Sequence, residues 1–321
     1  MIAGYVTANI THLGGVIKQN NQPRIVNYDS FINDEYSGFD SILSLYLRKN
    51  KRERETACFG VAGPVFRNEV TTTNLPWVIR GDEIQKNYEF DRVTIVNDIV
   101  ASARGMFFLK EENFFTLNKG VKVENGNIGL ISPGAGLGEG LVFYDGEKYC
   151  PYASEGGHVA FSPGSQLEIE LWEFIYSLKG YVEAEDIISL RGLVNIYEFM
   201  LMRNRATKAD WFKKASDKPT KLIEMALSGE DEMAVKTLDL FVDAFASEAA
   251  NLALKGITQS GIYLGGLIVP QIIPLLDKGR FMEKFVHKGK MENFLANTPV
   301  EVIIDDRTAL LGAGSIAVGI E

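Results

Sequence analysis

The chain has 321 residues, 46% of them hydrophobic and 23% charged, an ordinary globular balance with room for about two domains. Its net charge of −9 argues against nucleic acid or an anionic membrane surface as the principal partner. Two cysteines, Cys58 and Cys150, are too few for a disulfide framework or a structural zinc and point to free thiols. The opening MIAGYVTANI lacks the basic-then-apolar order of a signal peptide. The most apolar long stretch, GIYLGGLIVPQIIPLL, is broken by Gly, Pro and Gln before it reaches the length of a membrane span. A soluble, cytoplasmic protein is expected.

In chain order, residues 1–19 read as two strands joined by a tight turn, and TACFGVAGP as a short buried strand stopped by Gly-Pro. NLPW, Asn74 to Trp77, is either a substrate edge or a turn ahead of a helix. The β-branched run Val93 to Val96 ends in Asn97-Asp98, and apolar residues then recur with helical spacing at Ile99, Val100, Ala103, Met106 and Phe107. Strand, polar pair, helix is the order that puts polar groups at the ligand end of an α/β sheet. A second strand pair surrounds the Gly-rich turn SPGAGLGEG, and residues 165–255 are mainly helical. GIYLGG reads as a strand meeting Gly265-Gly266 and opening a helix, and the chain closes with strand, turn and helix. The balance is α/β with a helical insertion. The absence of a flexible linker suggests two domains sharing a cleft.

Three features offer chemistry. Asp98, at a strand end, can accept the proton of an attacking hydroxyl while Asn97 orients the substrate; alternatively Asp98 only caps the following helix. In SEGGH two glycines leave no side chain between Glu155 and His158, so one polar ligand can meet both, or the segment is simply a solvated turn. The turns SPGAGLGEG and LGGLIVPQ can present backbone N–H groups to phosphate, the second aided by a helix N-terminus. His12 and His287 have no role arguable from sequence.

The order of these pieces resembles the bacterial glucokinases of the hexokinase group, in the superfamily that also holds actin and the heat-shock ATPases. The resemblance rests on GVAGPV…TNLPW, VNDIVASARG, GAGLGEG, SEGGHVAFSP, IYEF, EAANLALK, GGLIVPQIIPLL, PVEVI and LLGAG, which run in family order from about residue 57 to 314. It implies an actin-like, ribonuclease H-like two-domain fold. The small domain would comprise residues 1–107 plus about 303–321, and the large one 108–302, with a sugar cleft between them. Asp98 would be the base for the sugar 6-hydroxyl, and Asn74, Asn97, Glu155, His158 and Glu185 would bind the remaining hydroxyls of glucose or a close hexose. Gly134, Gly136 and Gly138 would line the phosphates of ATP, and Gly265 and Gly266 would receive the nucleoside. Mg²⁺ would accompany the nucleotide, and a homodimer is implied.

The departures from the family pattern share one direction. Where the family opens with Asp-x-Gly-Gly-Thr, this chain has Tyr5, Thr7, Ala8 and Asn9, and Ala135 replaces the Thr of the second phosphate loop. Leu190 replaces a glycine after Glu185. No protein ligand for a metal is assigned from sequence; Asp305 and Asp306 are candidates to assist one. Two readings follow: a glucokinase transferring the ATP γ-phosphoryl group to glucose O6, and a glucose-binding homologue, sensor or partner subunit, without transfer. A zinc-containing repressor related to sugar kinases is disfavoured by the cysteine count.

Overall fold

The computed structural model describes residues 1–50, 55–73 and 75–320. They divide into two units. One comprises Met1–Asn113, Pro151–Ala153 and the C-terminal segment from Asp305; the other comprises Phe114–Cys150 and Ser154–Ile304.

In the first unit, β1 (Ile2–Val6), β2 (Ile10–Gln19), β3 (Gln22–Ile32) and β4 (Thr56–Val61) are followed by the short strands β5 (Val65–Phe66), β6 (Glu69–Thr71) and β7 (Val78–Arg80), and then by β8 (Arg92–Asn97). A five-stranded sheet runs β3-β2-β1-β4-β8. β1, β4 and β8 are parallel, and β2 and β3 are added antiparallel. Alternation along the strands serves two cores. Ile2, Val6, Leu13 and Phe59 pack with Phe39, Ile42, Leu43 and Tyr46 of the amphipathic helix Phe39–Lys49. Ala3, Val16 and Cys58 pack with Leu310 and Ala313 of helix Thr308–Ala317.

Neither β3 nor helix Phe39–Lys49 is among the elements expected from sequence. β3 is an edge strand with mostly exposed or half-buried side chains, so it lacks the apolar run of a buried strand. Its turn, Asn20-Asn21, has φ of 52° and 57°, which fits a two-residue hairpin loop where Asn tolerates positive φ.

The second unit contains β9 (Phe114–Asn118), β10 (Ile128–Pro133), β11 (Leu137–Tyr144), the ends of β12 (Tyr149–Ser154), whose middle residues Pro151–Ala153 group with the first unit, β13 (Ile262–Leu264) and β14 (Val300–Ile303), in the order β12-β11-β10-β13-β14-β9. β10, β13 and β14 are parallel. Between β12 and β13 lie the helices Gln166–Lys179, Leu190–Arg203, Asp210–Lys214, Lys218–Ser228 and Glu232–Gly256. Ser165, Ser189, Asp217 and Asp231 cap four of them by accepting first-turn N–H groups, which satisfies donors that a helix start otherwise leaves open. Helix Glu232–Gly256 is buried along most of its length, through Leu238, Phe241, Phe245, Ala249 and Leu252 among others, as its near-continuous apolar sequence requires. No helix among the described residues is long and apolar enough to cross a membrane.

In the first unit, helix Asp98–Gly105 approaches helix Thr308–Ala317 with no room for a side chain between them. A Cβ on Gly312 would lie 1.8 Å from the Ala101 carbonyl oxygen. The obstacle is backbone, so it cannot be moved aside as a side chain can. Gly312→Ala is therefore expected to destabilise the chain by about 1–3 kcal/mol, despite the ~1 kcal/mol by which Ala ordinarily exceeds Gly in a helix. Urea unfolding checks this; an unchanged midpoint contradicts the close-packed account.

Candidate functional site

The sequence-predicted residues fall in both units. In the first, β8 ends at Asn97, whose Oδ1 accepts the Ile99 N–H at 2.8 Å while Nδ2 donates to the Gly63 carbonyl at 3.0 Å. Asn97 is thus the helix N-cap, with extended φ −63° and ψ 146°, and Asp98 is the first helical residue. This corrects the expectation that Asp98 itself caps the helix. Asp98 Oδ1 shares the Ile99 N–H at 3.0 Å, but the capping conformation belongs to its neighbour. Asn97 keeps one amide N–H outside these two bonds. Asn74 lies outside the described residues.

Tyr5, on β1, stacks against His12 across the β1–β2 register with ring centroids 5.8 Å apart, and His12 stacks on Tyr28 at 6.0 Å. His12 Nδ1 meets the Tyr28 hydroxyl at 2.8 Å. Burial, then the charge of Asp98, raises the Tyr5 phenol above its ordinary range. Burial lowers His12, against an opposing pull from Asp306. Where the resemblance expects a carboxylate, this chain therefore holds a neutral phenol beside an uncharged imidazole at neutral pH.

Thr7 to Ile10 is closed on itself. The Thr7 N–H and hydroxyl donate to the Ile10 carbonyl at 3.0 and 2.8 Å. The Thr7 Oγ1 accepts the N–H groups of Ile10 at 3.0 Å and Asn9 at 3.3 Å. Buried Asn33, not singled out in the sequence, ties the turn down: its Nδ2 donates to the Thr7 carbonyl at 2.9 Å and its N–H to the Asn9 carbonyl at 2.8 Å. Ala8 lies between these anchored residues. Asp305 is engaged by Arg307, with Nη2 on Oδ2 at 3.1 Å and the backbone N–H on Oδ1 at 2.9 Å, and Asp306 is exposed.

In the second unit the structure brings several predicted residues together. The turn between β10 and β11 carries Gly134, Ala135 and Gly136, with Gly138 entering β11 opposite Ser132. Glu185, in the 3₁₀ turn Ala184–Asp186, is 9% exposed and accepts the Leu137 N–H at 2.9 Å. It fits because position 136 has no side chain: a Cβ there would lie 2.2 Å from Glu185 Oε2. Leu190, the residue replacing a glycine, donates its N–H to the Gly134 carbonyl at 2.8 Å.

The segment Glu155–His158 lies against β11. A Cβ on Gly156 would come 2.2 Å from Glu139 Oε2, and one on Gly157 would come 2.2 Å from the Leu137 carbonyl oxygen. The paired glycines of SEGGH thus allow a close approach to the strand. The Glu155 and His158 side chains remain about half exposed, with Oε2 and Nε2 4.0 Å apart. Burial raises the Glu155 carboxyl, His158 pulls it down, and Glu185 pushes it up, so the two carboxylates sense one another. At the end of β13, a Cβ on Gly266 would lie 2.4 Å from the Pro133 carbonyl oxygen, and one on Gly265 would lie 2.8 Å from Ser132 Oγ. The two glycine-containing turns are therefore neighbours. The expected helix does not begin there. A 3₁₀ turn, Val269–Ile272, and the single turn Ile273–Leu276 follow, because two prolines, Pro270 and Pro274, remove backbone donors.

Two functional neighbours escaped sequence reasoning. Glu183 contacts His158 Nδ1 at 3.2 Å. Glu139 is 2% exposed, with Oε1 unpartnered among the described residues; burial first, then the charge of Glu248, raises its pKa to about 8, against a lowering by Lys255. His158, Glu183 and Glu185 offer ligand atoms within 4.8 Å of one another. However, Arg191 lies 3.5 Å from Glu183 and 3.3 Å from Glu185, and Lys179 lies 3.6 Å from Glu183, so this group is already neutralised by cations.

The glucokinase family model matches residues 3–319. A glucokinase of Synechocystis sp. is 36% identical over 81% of this chain and 78% of its own length. The crystal structure of a glucokinase from an Antarctic psychrotroph superposes with a TM-score of 0.84 at 25% identity, covering 99% of this chain and 98% of the other. That of a Balamuthia mandrillaris glucokinase in complex with glucose has a TM-score of 0.85 at 20% identity, covering 98% and 92%. The fold is the two-domain actin-like fold of these sugar kinases.

Glu139 has a measurable consequence. Its folded pKa of about 8 lies above its ordinary value of 4.5, so above pH 4.5 the folded chain keeps a proton that the unfolded chain releases. Stability is then lost as pH rises from about 4.5 to about 8, by at most ~1.4 kcal/mol per pH unit. Glu139→Gln should remove this slope, so that its melting temperature gains on the parent steadily from pH 5 to pH 8. Parallel melting curves across that range contradict the buried, protonated carboxyl.

Proposed function

The chain is a member of the glucokinase family, and from that premise we propose that it binds glucose and transfers the γ-phosphoryl group of ATP to the sugar 6-hydroxyl. The observation that carries this reading is the grouping of Glu155, His158 and Glu185 against one glycine-rich turn. Charged and polar acceptors held on backbone suit a polyol. A site built for hydroxyls also rejects analogues that leave its groups unpaired. On family resemblance, Asn97 is a further sugar ligand.

In the proposed reaction Asp98 accepts the proton of the 6-hydroxyl as that oxygen bonds to the γ-phosphorus, and ADP leaves with the electrons of the broken P–O bond. A positioned base of this kind contributes typically 10²–10⁴-fold. The turns at Gly134–Gly138 and Gly265-Gly266 would receive the nucleotide. In the first unit neither Tyr5, a neutral phenol, nor Asp305, taken by Arg307, fits a Mg²⁺ held by the protein. Magnesium therefore arrives as MgATP, on the phosphates of the nucleotide itself. A cytoplasmic homodimer completes the proposal, on family resemblance.

A second reading, a glucose-binding relative without transfer, is favoured by the Thr7 turn. Its N–H groups at Thr7, Asn9 and Ile10 are spent inside the turn, whereas phosphoryl transfer depends on donors and charge placed around the phosphates. A coupled assay with glucose and MgATP separates the two. The first reading expects glucose 6-phosphate, with kcat lowered by about 10²–10⁴ in Asp98→Asn and little change in KM for glucose. Glucose binding without any product from the parent protein favours the second reading. Undiminished turnover in Asp98→Asn contradicts the role given to that residue.

A further inference from the structure

Glu183 lies at the one edge of the second unit's polar cluster that neither the motifs nor the proposed sugar contacts use. Its side chain is only 15% exposed, and its two oxygens have separate partners. Oε2 is 3.2 Å from His158 Nδ1, while Oε1 is 3.6 Å from Lys179 Nζ and 3.5 Å from Arg191 Nη2. Backbone bonds fix the spacing of the pair: Ala184 N–H donates to the Val159 carbonyl at 2.9 Å, and Phe161 N–H to the Val182 carbonyl at 3.0 Å, around the bridge Ala160–Glu183. The Tyr181 hydroxyl donates to the His158 carbonyl at 2.7 Å. Both residues are thus held by a two-stranded clamp, independent of any ligand.

We infer that Glu183 is a positioning residue that sets the tautomer of His158, making its Nε2 a hydrogen-bond acceptor for a sugar hydroxyl. An ionised carboxylate can only accept, so the ring nitrogen facing it must carry the proton. In the neutral ring the lone pair then belongs to Nε2. That atom lies 4.0 Å from Glu155 Oε2, too far for a direct hydrogen bond, so both acceptors are left to meet hydroxyls of a ligand set beside them. Lys179 and Arg191 both lie on the other oxygen, Oε1, at 3.6 and 3.5 Å, so Oε2 is left to the imidazole. The charged groups facing the imidazole are Glu155 and Glu183, with Glu185, Arg191 and Lys179 behind them, while the Tyr181 phenol bonds the His158 backbone carbonyl. Glu155 and His158 Nε2 then form a pair of acceptors, which recognises neighbouring hydroxyls as donors. This specificity claim rests on the proposed glucose site; the tautomer claim does not.

The chain has three histidines, so the side-chain ¹⁵N spectrum of the full protein is simple, and His158→Asn identifies the signals of His158. At about pH 8.5, where an ordinary imidazole is neutral, the expected result for the ligand-free parent is a protonated Nδ1 and an unprotonated Nε2. Glu183→Gln keeps the shape but can donate as well as accept, so it should redistribute the proton between the ring nitrogens. It should also weaken glucose binding about tenfold, the worth of one hydrogen bond. A parent protein with the proton on Nε2 overturns the inference without any variant. So does Glu183→Gln with unchanged tautomer or unchanged glucose affinity. If the parent shows the expected tautomer but binds no glucose, the proposed function fails and the specificity claim fails with it.

Discussion

The carboxylate of Glu185 lying on the bare backbone of Gly136 is the contact on which the rest of the candidate site depends. Through it the loop Ala184–Asp186 meets the β10–β11 turn, and the Leu137 N–H closes the junction at 2.9 Å. A hydrogen bond to a charged group contributes about 1.5–3 kcal/mol, and this one is largely removed from water. Arg191 supplies the compensating charge at 3.3 Å, and Ser189 both caps the next helix and donates its hydroxyl to the Glu185 carbonyl. From that junction, Leu190 reaches back to Gly134 and the Glu155–His158 segment lies on the same strand, β11. A side chain at position 136 would separate the loop from the turn and disperse the acceptors.

The first unit is organised by backbone satisfaction instead. Asn97 holds the entry to helix Asp98–Gly105 and thereby leaves Asp98 outside the capping conformation. The Thr7 hydroxyl closes the hydrogen bonds within the turn after β1, and Asn33 ties that turn down. The Tyr5–His12–Tyr28 stack gives this end of the sheet an aromatic, uncharged surface. The two units therefore treat polar groups differently. The second presents acceptors, and the first consumes its donors.

Features that depend on neighbouring residues in the chain were legible in the sequence. Asn97-Asp98 at a strand end, the Glu155–His158 pair with its two glycines, and the alternation of the strand pair around SPGAGLGEG all follow from local period and turn chemistry. What depends on distant contacts was not. Glu183 and Glu139 look like ordinary surface acids until folding sets one against His158 and buries the other under Gly156. Asn33 is inconspicuous until β3 carries it to the Thr7 turn. The helix expected after Gly265-Gly266 failed for a local reason that was readable, the prolines at 270 and 274. Helix Phe39–Lys49 was readable too, since Phe39, Ile42, Leu43, Tyr46 and Leu47 keep helical spacing, but it starts at Gly38 without a side-chain cap.

Whether these acceptors form a hexose site is decided by calorimetric titration of the full chain with glucose, with Glu155→Gln alongside. A hexose site gives saturable, one-to-one binding by the parent and clearly weaker binding by the variant, whether or not phosphoryl transfer occurs. No heat of binding in the parent, or equal affinity in Glu155→Gln, would contradict it.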